Sequence, residues 1–316
     1  MLAYVLNRLA QLAPVLVGCS LLVFLAVQLL PGDAAQALLG EREYTQEDYL
    51  AMRQYLGLDE PLHVQYFKYL GHVLQGDFGR SVRTHERVLP AILDRIPASL
   101  VLAASSLFVA LAIGIPAGVI SAVRPYSRID QGSMVGALLG VSVPNFWLAI
   151  MLILVFSLYL GWLPASGRGS PPDFQHLILP SVVLGSGYAA TICRLTRSCM
   201  LEVLNNDYIR TARAKGLREF YVVNKHAFRN ALIPVVTEVG ISLVGLLEGS
   251  TVIEVVFAWP GIARMAYQAA LYRDYPMLQG CVLAVAFLFV AVNLLVDILY
   301  FYLDPRIKSP GAADGG

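Results

Sequence analysis

The side chains able to do chemistry in this chain are few and poorly arranged for catalysis. Its five histidines, His63, His72, His85, His176 and His226, lie outside the apolar stretches, so neither an HExxH zinc pair nor a membrane-embedded Ser/His couple can be assembled. No GxxxxGKS/T phosphate loop occurs, so any nucleotide energy must be bound by another chain. "LGSGY" around Ser186 lacks the G-x-S-x-G spacing of a nucleophile turn, and its small residues suit close helix packing. Cys19, Cys193, Cys199 and Cys281 show neither CxxC nor metal-ligand spacing and read as small hydrophobes. The expected catalytic and metal sets are both empty.

Three carboxylates stand out because they fall inside apolar stretches: Glu238, Glu248 and Asp297. An ionisable group near the bilayer centre costs at least roughly 2.5–3.5 kcal/mol on insertion scales, so it faces a bundle interior or a watery path. At helical spacing Glu238, Ser242, Gly245 and Gly249 share one stripe. Two roles are open for that stripe: the wall of a substrate path, or a packing seam with Glu238 hydrogen-bonded near one end. Asn293 and Asp297, one turn apart, read as a structural hydrogen-bonding pair.

The elements that must position these groups are apolar helices. The chain is 57% hydrophobic and 14% charged, whereas a soluble domain runs at roughly 45–50% and about 25%. A net charge of +1 argues for neither nucleic acid nor an acidic partner. Six stretches approach the roughly 20 apolar residues that a spanning helix needs: Leu9 to Leu30, Leu100 to Val123, Met134 to Leu160, Leu177 to Thr196, Ala231 to Val256 and Leu278 to Leu303. The first is too long for a secretory signal and lacks a small-residue cleavage site, so it reads as a retained span. The expectation is an all-α integral membrane protein.

An even span number places both termini on one side. Arg8, Arg124, Arg128, Arg194, Arg197, the cluster from Arg210 to Arg229, Arg306 and Lys308 put that side in the cytoplasm. The short outer loops hold only Arg168, Arg264 and Arg273. The long outer loop, residues 31–96, carries "EDYLAMRQYLGL" and "HVQYFKYLGHVL", which predict short helices ended by glycines and covering the outer face of the spans. The "GAADGG" tail is the one low-complexity segment. The expected organisation is an N-terminal span plus outer loop over 1–96, a membrane core over 97–304 with an elbow at 198–230, and a short cytoplasmic tail over 305–316.

The elbow carries Arg210, Arg213, Lys215, Arg218, Lys225 and Arg229 against Glu202, Asp207 and Glu219. Positive-inside topology explains a surplus but not the patterning. "NNDYIRTARAKG" offers cap-type Asn and Asp before a helical run that Gly216 stops, and "REFYVVNKHAFRN" restarts with Phe220, Val223 and Ala227 along one side. Two short helices meeting at a glycine make a docking knob continuous with the fourth and fifth spans.

This elbow resembles the EAA loop of binding-protein-dependent ABC importer permeases, in the branch serving dipeptides, oligopeptides, glutathione and nickel. Arg210-Thr211-Ala212 stands where E-A-A would, Gly216 is the motif glycine, and His226 and Arg229 fall at its isoleucine and proline positions. "DYIRTARAKGL" with "HAFRNALIP" matches the branch's own version, so the contact of the missing Glu is not carried over. "GLDEPLHVQYFKYL", "GDFGRS", "SVPNFWLAIMLILVFSLYLGWLPASG", "VFAWPGIARMAYQAALYRDYPMLQG" and "NLLVDILYFYLDPRIK" resemble further stretches of it, in family order.

The resemblance implies a type-1 ABC importer permease core with no cofactor of its own; ATP and Mg would sit on partner subunits. The implied partners are a second homologous permease, two cytoplasmic ATPases and an extracytoplasmic solute-binding protein, besides membrane lipid. Arg210, Thr211, Ala212, Arg213, Lys215, Gly216, Leu217, Arg218, His226 and Arg229 would belong to the ATPase-coupling element, where each arginine alone reads equally as a solvated or headgroup charge. Asp77 and Phe78 of "GDFGRS", with the rigid turn at Trp259, Pro260 and Gly261, would face the binding protein; a plain interfacial anchor is the other reading of Trp259. The solute would be a dipeptide or short oligopeptide, with glutathione or a nickel chelate as the alternative and an ion-coupled carrier as the competing class.

Overall fold

The computed structural model describes residues 2–29, 45–55, 59–170 and 173–303, with side chains left undescribed at residues 2–13, 27, 29, 52, 55, 233, 297 and 299–303. The tail with Arg306 and Lys308, and the side chains of Arg8 and Asp297, lie outside the described set. In chain order the helices are α1 (Leu2–Leu29), α2 (Gln46–Tyr55), α3 (Leu62–Leu74), α4 (Val88–Val123), α5 (Arg128–Ser142) and α6 (Asn145–Leu152), which continues as a π-helical run Ile153–Tyr159. They are followed by α7 (Gln175–Leu204), α8 (Asp207–Ala214), α9 (Glu219–Tyr221) with a π-helical run Val222–Ala227, α10 (Phe228–Val256), α11 (Ile262–Leu271) and α12 (Tyr275–Leu303). Among the described residues no β-strand forms, and one isolated antiparallel bridge joins Arg80 to Arg87.

Four helices are long and apolar enough to cross a bilayer, namely α4, α7, and the stretches Pro234–Val256 of α10 and Tyr275–Val296 of α12. The third expected span, Met134 to Leu160, is corrected: α5 and α6 meet at a break bent by 104°, and the two count as a fifth span only if taken together. The cause is Val143-Pro144. Proline disfavours the α conformation at the residue before it, and here Val143 sits extended at ψ 124°. α1 contributes a shorter apolar stretch, Pro14–Ala26, so the count of six is not established among the described residues.

The chain divides into two compact units, residues 1–99 with 260–291, and residues 100–259 with 292–316. In the first, α3 leans on α1: the Ser20 and Tyr66 hydroxyls lie 2.9 Å apart, and Phe24 meets Tyr66 edge-on at 5.5 Å. Gly71, the glycine of "HVQYFKYLGHVL" expected to stop the run, lies within α3 instead, and the helix ends just before Gly76 at φ +78°. The apolar core here joins Val88 and Ile92 to Ile262 and Ala269 of α11 and to Met277 and Cys281 of α12. These contacts explain why α4 starts at Val88 rather than at the expected Leu100. The Ser99 hydroxyl accepts the Ile262 N–H at 2.9 Å, which anchors the start of α11.

The second unit is built around α7. At Gly118 of α4 an added Cβ would lie 2.6 Å from the Cys193 carbonyl oxygen, and at Gly185 of α7 it would lie 2.5 Å from that of Ser106. Main chain thus touches main chain, the close approach that small residues allow between membrane helices. Ser186 spends its hydroxyl on the Val183 carbonyl at 2.8 Å, and the Ser105 and Ser181 hydroxyls pair at 2.7 Å across α4 and α7. Packing, not nucleophilic chemistry, is what "LGSGY" does in this fold.

Candidate functional site

The elbow between α7 and α10 is a folded element with an apolar inside. Ile209 and Ala212 of α8 and Val222, Val223 and Ala227 of the π-helical run are buried against Ala122 of α4, Met200 of α7 and Ala231 of α10. Its turn is the expected glycine: Gly216 has φ +77°, a conformation that costs a side-chain-bearing residue about 1–2 kcal/mol, and a Cβ there would meet open space. The Asn206 side chain makes no cap bond, contrary to the cap expectation; Asn206 is the cap by position alone. Across the turn the Arg213 guanidinium grips Glu219 with two bonds of 2.7 and 3.2 Å and holds that carboxyl below the usual glutamate range.

The expected stripe of Phe220, Val223 and Ala227 needs correcting. Val223 and Ala227 are buried, but Phe220 is 72% exposed, and Val222 takes the third inward position. The reason is the π-helical run, whose wider i→i+5 turn shifts the register that 3.6 periodicity assumes. Phe220 and Tyr221 meet edge-on at 5.9 Å and are exposed, as are Leu217, Lys215, Arg218 and Arg229 of the same segment. Of the motif residues, Ala212 points into the core and His226 is half-buried, while Thr211 donates to the Asp207 carbonyl at 3.0 Å. Arg210 makes a long 3.4 Å contact to exposed Asp207.

On α10 the two glycines of the stripe pack closely against α7. A Cβ at Gly245 would lie 2.5 Å from the Tyr188 hydroxyl of α7, and one at Gly249 would lie 3.5 Å from Leu184. Ser242 is buried and donates weakly to Glu238 at 3.4 Å, while Glu238 stays half-buried and Glu248 is exposed. Glu254, two residues before the end of the same apolar stretch and so a fourth carboxylate within it, is fully buried.

The outer-loop residues part company. Asp77 is exposed and accepts the Gly79 N–H at 3.0 Å, whereas Phe78 turns inward beside Gly280. Trp259 is corrected outright: it is 1% exposed, so it is neither a presented contact nor an interfacial anchor. Ala258 turns the chain at φ +48°, the Gly167 N–H donates to the Phe257 carbonyl at 2.8 Å, and Arg168 lies 5.8 Å from the Trp259 ring centre. Gly261 is also buried, and Pro260 is half-buried.

Two polar clusters escaped the sequence reading. Arg197 of α7 makes a two-pronged pair with buried Asp130 of α5 at 2.6 and 2.7 Å, and Asp130 also accepts the Tyr126 N–H at 2.9 Å. Its only sequence signal is the S-x-x-D spacing of Ser127 and Asp130, where the Ser127 hydroxyl accepts the Asp130 N–H at 3.2 Å. Buried Asp274 takes the Ser81 hydroxyl, the Val82 N–H at 3.1 Å and the Met277 N–H at 3.4 Å. Partners so distant in sequence leave no local pattern.

A family model described as "Binding-protein-dependent transport system inner membrane component" matches residues 114–309, and the model of its N-terminal part matches residues 1–103. The chain belongs to this family. It is 44% identical to a dipeptide transport system permease protein of Alkalihalophilus pseudofirmus, over 98% of this chain and 100% of the relative. It is 42% identical to a di/tripeptide transport system permease protein of Pseudomonas aeruginosa, over 98% and 99%. A glutathione transport system permease protein of Salmonella typhimurium is 46% identical, again over 98% and 99%. Among solved structures, the inward-facing MetNI methionine ABC transporter shares the fold at a TM-score of 0.56 and 23% identity, covering 69% of this chain and 98% of that one. The chain is therefore a multi-pass membrane component of a transport system that works with a binding protein.

Proposed function

We propose that this permease forms half of the translocation path of an ATP-driven peptide importer, and that the Asp207–Asn230 elbow is where partner ATPases apply force. One observation supports the coupling role above others: the elbow is packed on an apolar core inside and exposes Leu217, Phe220 and Tyr221 outside, in a segment that also exposes Lys215, Arg218 and Arg229. Exposed aromatics on a stiff element suit insertion into a partner cleft. The coupling set is Arg210, Arg213, Lys215, Gly216, Leu217, Arg218 and Arg229, with Thr211, Ala212 and His226 holding its shape. Energy enters at the elbow, and the chain itself changes no bond; ATP and Mg belong to the partner subunits and no cofactor to this one.

On this reading both termini and the elbow are cytoplasmic, a second homologous permease completes the path, and the binding protein delivers solute to the opposite face near Asp77. Closure of the ATPase pair would move the elbows together and tilt the helices, with the α7–α10 seam at Gly245 and Gly249 keeping that pair in register. Glu238 and Ser242, at one end of the seam, are the members of the stripe nearest to a role in the path. Dipeptides or short oligopeptides are the favoured solutes, from the relatives at 42–44% identity; the glutathione relative at 46% supports the second reading.

The test is uptake by the whole assembly in proteoliposomes. Labelled dipeptide should accumulate only with ATP, the partner ATPases and the binding protein present. Glutathione accumulation in place of dipeptide would transfer the assignment to the second solute. Uptake by this chain alone, collapsing with a proton gradient, would replace the importer by an ion-coupled carrier.

A further inference from the structure

The outer loop holds a like-charge pair that its own surroundings leave uncompensated. The Val88 N–H donates to the Gly79 carbonyl at 3.1 Å and the Ser81 N–H to the Glu86 carbonyl at 3.0 Å. These bonds flank Arg80 and Arg87, which makes the two arginines a non-hydrogen-bonded antiparallel pair, the kind whose Cα atoms lie about 4.5 Å apart with side chains closest together. Like charges set directly opposite each other destabilise such a pair. Arg83, the third arginine of this loop, is spent differently: its guanidinium lies 3.6 Å from the centre of the Tyr272 ring.

Among the described residues neither Arg80 nor Arg87 has an acidic partner. Arg80 makes only a 3.5 Å contact to the His85 carbonyl. Asp77, the nearest carboxylate on the loop, is engaged by the Gly79 N–H and stands 3.8 Å from His72. Glu86 precedes Arg87, so its side chain leaves on the other side of the ribbon. Both arginines line a cleft of about 580 Å³, together with Gln75, Asp77, Phe78, Leu89 and Pro90. Gly76 and Gly79, at φ +78° and +77°, give the loop its curvature there. Two adjacent fork-shaped cations over an open cleft match a carboxylate, which guanidinium groups bind in two-pronged fashion.

We infer that Arg80 and Arg87 receive an acidic side chain of the solute-binding protein, which seats in the Gln75–Pro90 cleft and fixes the register of docking. The inference rests on the importer reading above, which places this loop on the delivery face. Charge complementarity selects the occupant: two arginines against the single carboxylate of Asp77 leave the cleft net positive, and an incoming carboxylate relieves the repulsion between directly opposed arginines. Such rim contacts set association rate and salt dependence.

The experiment titrates the purified, peptide-loaded binding protein against the complete transporter in lipid nanodiscs, with wild type, R80A/R87A and R80K/R87K compared. The double alanine variant should bind roughly a hundredfold more weakly and lose most of the salt dependence, while the lysine variant keeps the salt dependence and part of the affinity. Its melting temperature should equal or exceed that of wild type, since removing a repulsion costs nothing; a fall would show that the arginines only hold the loop together. Unchanged binding by R80A/R87A, with a wild type that does respond to the binding protein, overturns the inference and leaves the importer reading standing. A wild-type complex that ignores the binding protein overturns both. Free dipeptide binding in an Arg80- and Arg87-dependent manner without the binding protein also overturns it, because the carboxylate would then be the solute's own.

Discussion

The elbow at Asp207–Asn230 and the outer loop around Ser81 are both short polar connectors rich in arginine, yet they are held by opposite means. The elbow has an apolar inside, Ile209, Ala212, Val222, Val223 and Ala227, and wears its Arg213–Glu219 pair on the surface. The outer loop has a polar inside, with Asp274 gathering a hydroxyl and two N–H groups in a site 4% exposed. An apolar core spreads its stabilisation over many small contacts, whereas a polar hub concentrates it in one carboxylate that leaves orphaned donors when removed. The elbow is therefore built to survive loss of any one charge; the loop is built to keep one geometry.

That contrast can be broken in four places. Asp274→Ala should have the largest effect, about 4 kcal/mol of destabilisation from the stranded Ser81 hydroxyl and Val82 N–H, seen as a lowered melting temperature in detergent. Ile209→Ala, which opens a hole in the elbow's core, should cost about 3 kcal/mol and loosen proteolytic protection of the segment. Gly216→Leu should cost only about 1–2 kcal/mol and leave membrane insertion intact, but uncouple ATP turnover from uptake, because it attacks the left-handed turn alone. Normal transport in Gly216→Leu would show that the turn is not the joint.

Glu219→Gln should be the mildest, under about 1 kcal/mol, since its ion pair is 43% and 54% exposed and screened by water and salt. The sign of its pH dependence follows from Arg213, which lowers the Glu219 pKa in the folded chain. The pair's contribution is present above the ordinary glutamate value and fades as pH falls through the lowered one. A wild-type melting temperature that drops between those pH values by more than that of Glu219→Gln would confirm the pair; identical pH profiles would remove it.

Hydropathy made α4, α7, α10 and α12 legible, because an apolar run long enough to cross lipid has few alternative conformations. The glycine joint at Gly216 was legible for a local reason, its break in a helical run. What escaped was set by contacts distant in sequence or by register. The bend at Val143-Pro144 hides inside a continuously apolar stretch, although the proline itself was visible. Phe220 was misassigned because the π-helical run moves it outward. The burial of Trp259 has no local sequence signal, because the residues that approach its neighbourhood, Arg168 and Gly167, are distant in the chain. Asp130 with Arg197, and Ser81 with Asp274, are pairings that only the folded chain creates.

Where Gly118 meets the Cys193 carbonyl and Gly185 meets that of Ser106, no compressible side chain separates the two rods. A joint of that kind has no slack to absorb a push. Strain delivered to the end of α7 must reappear as rotation of α4 and α7 as one beam, and a single methyl group added at either glycine would split that beam.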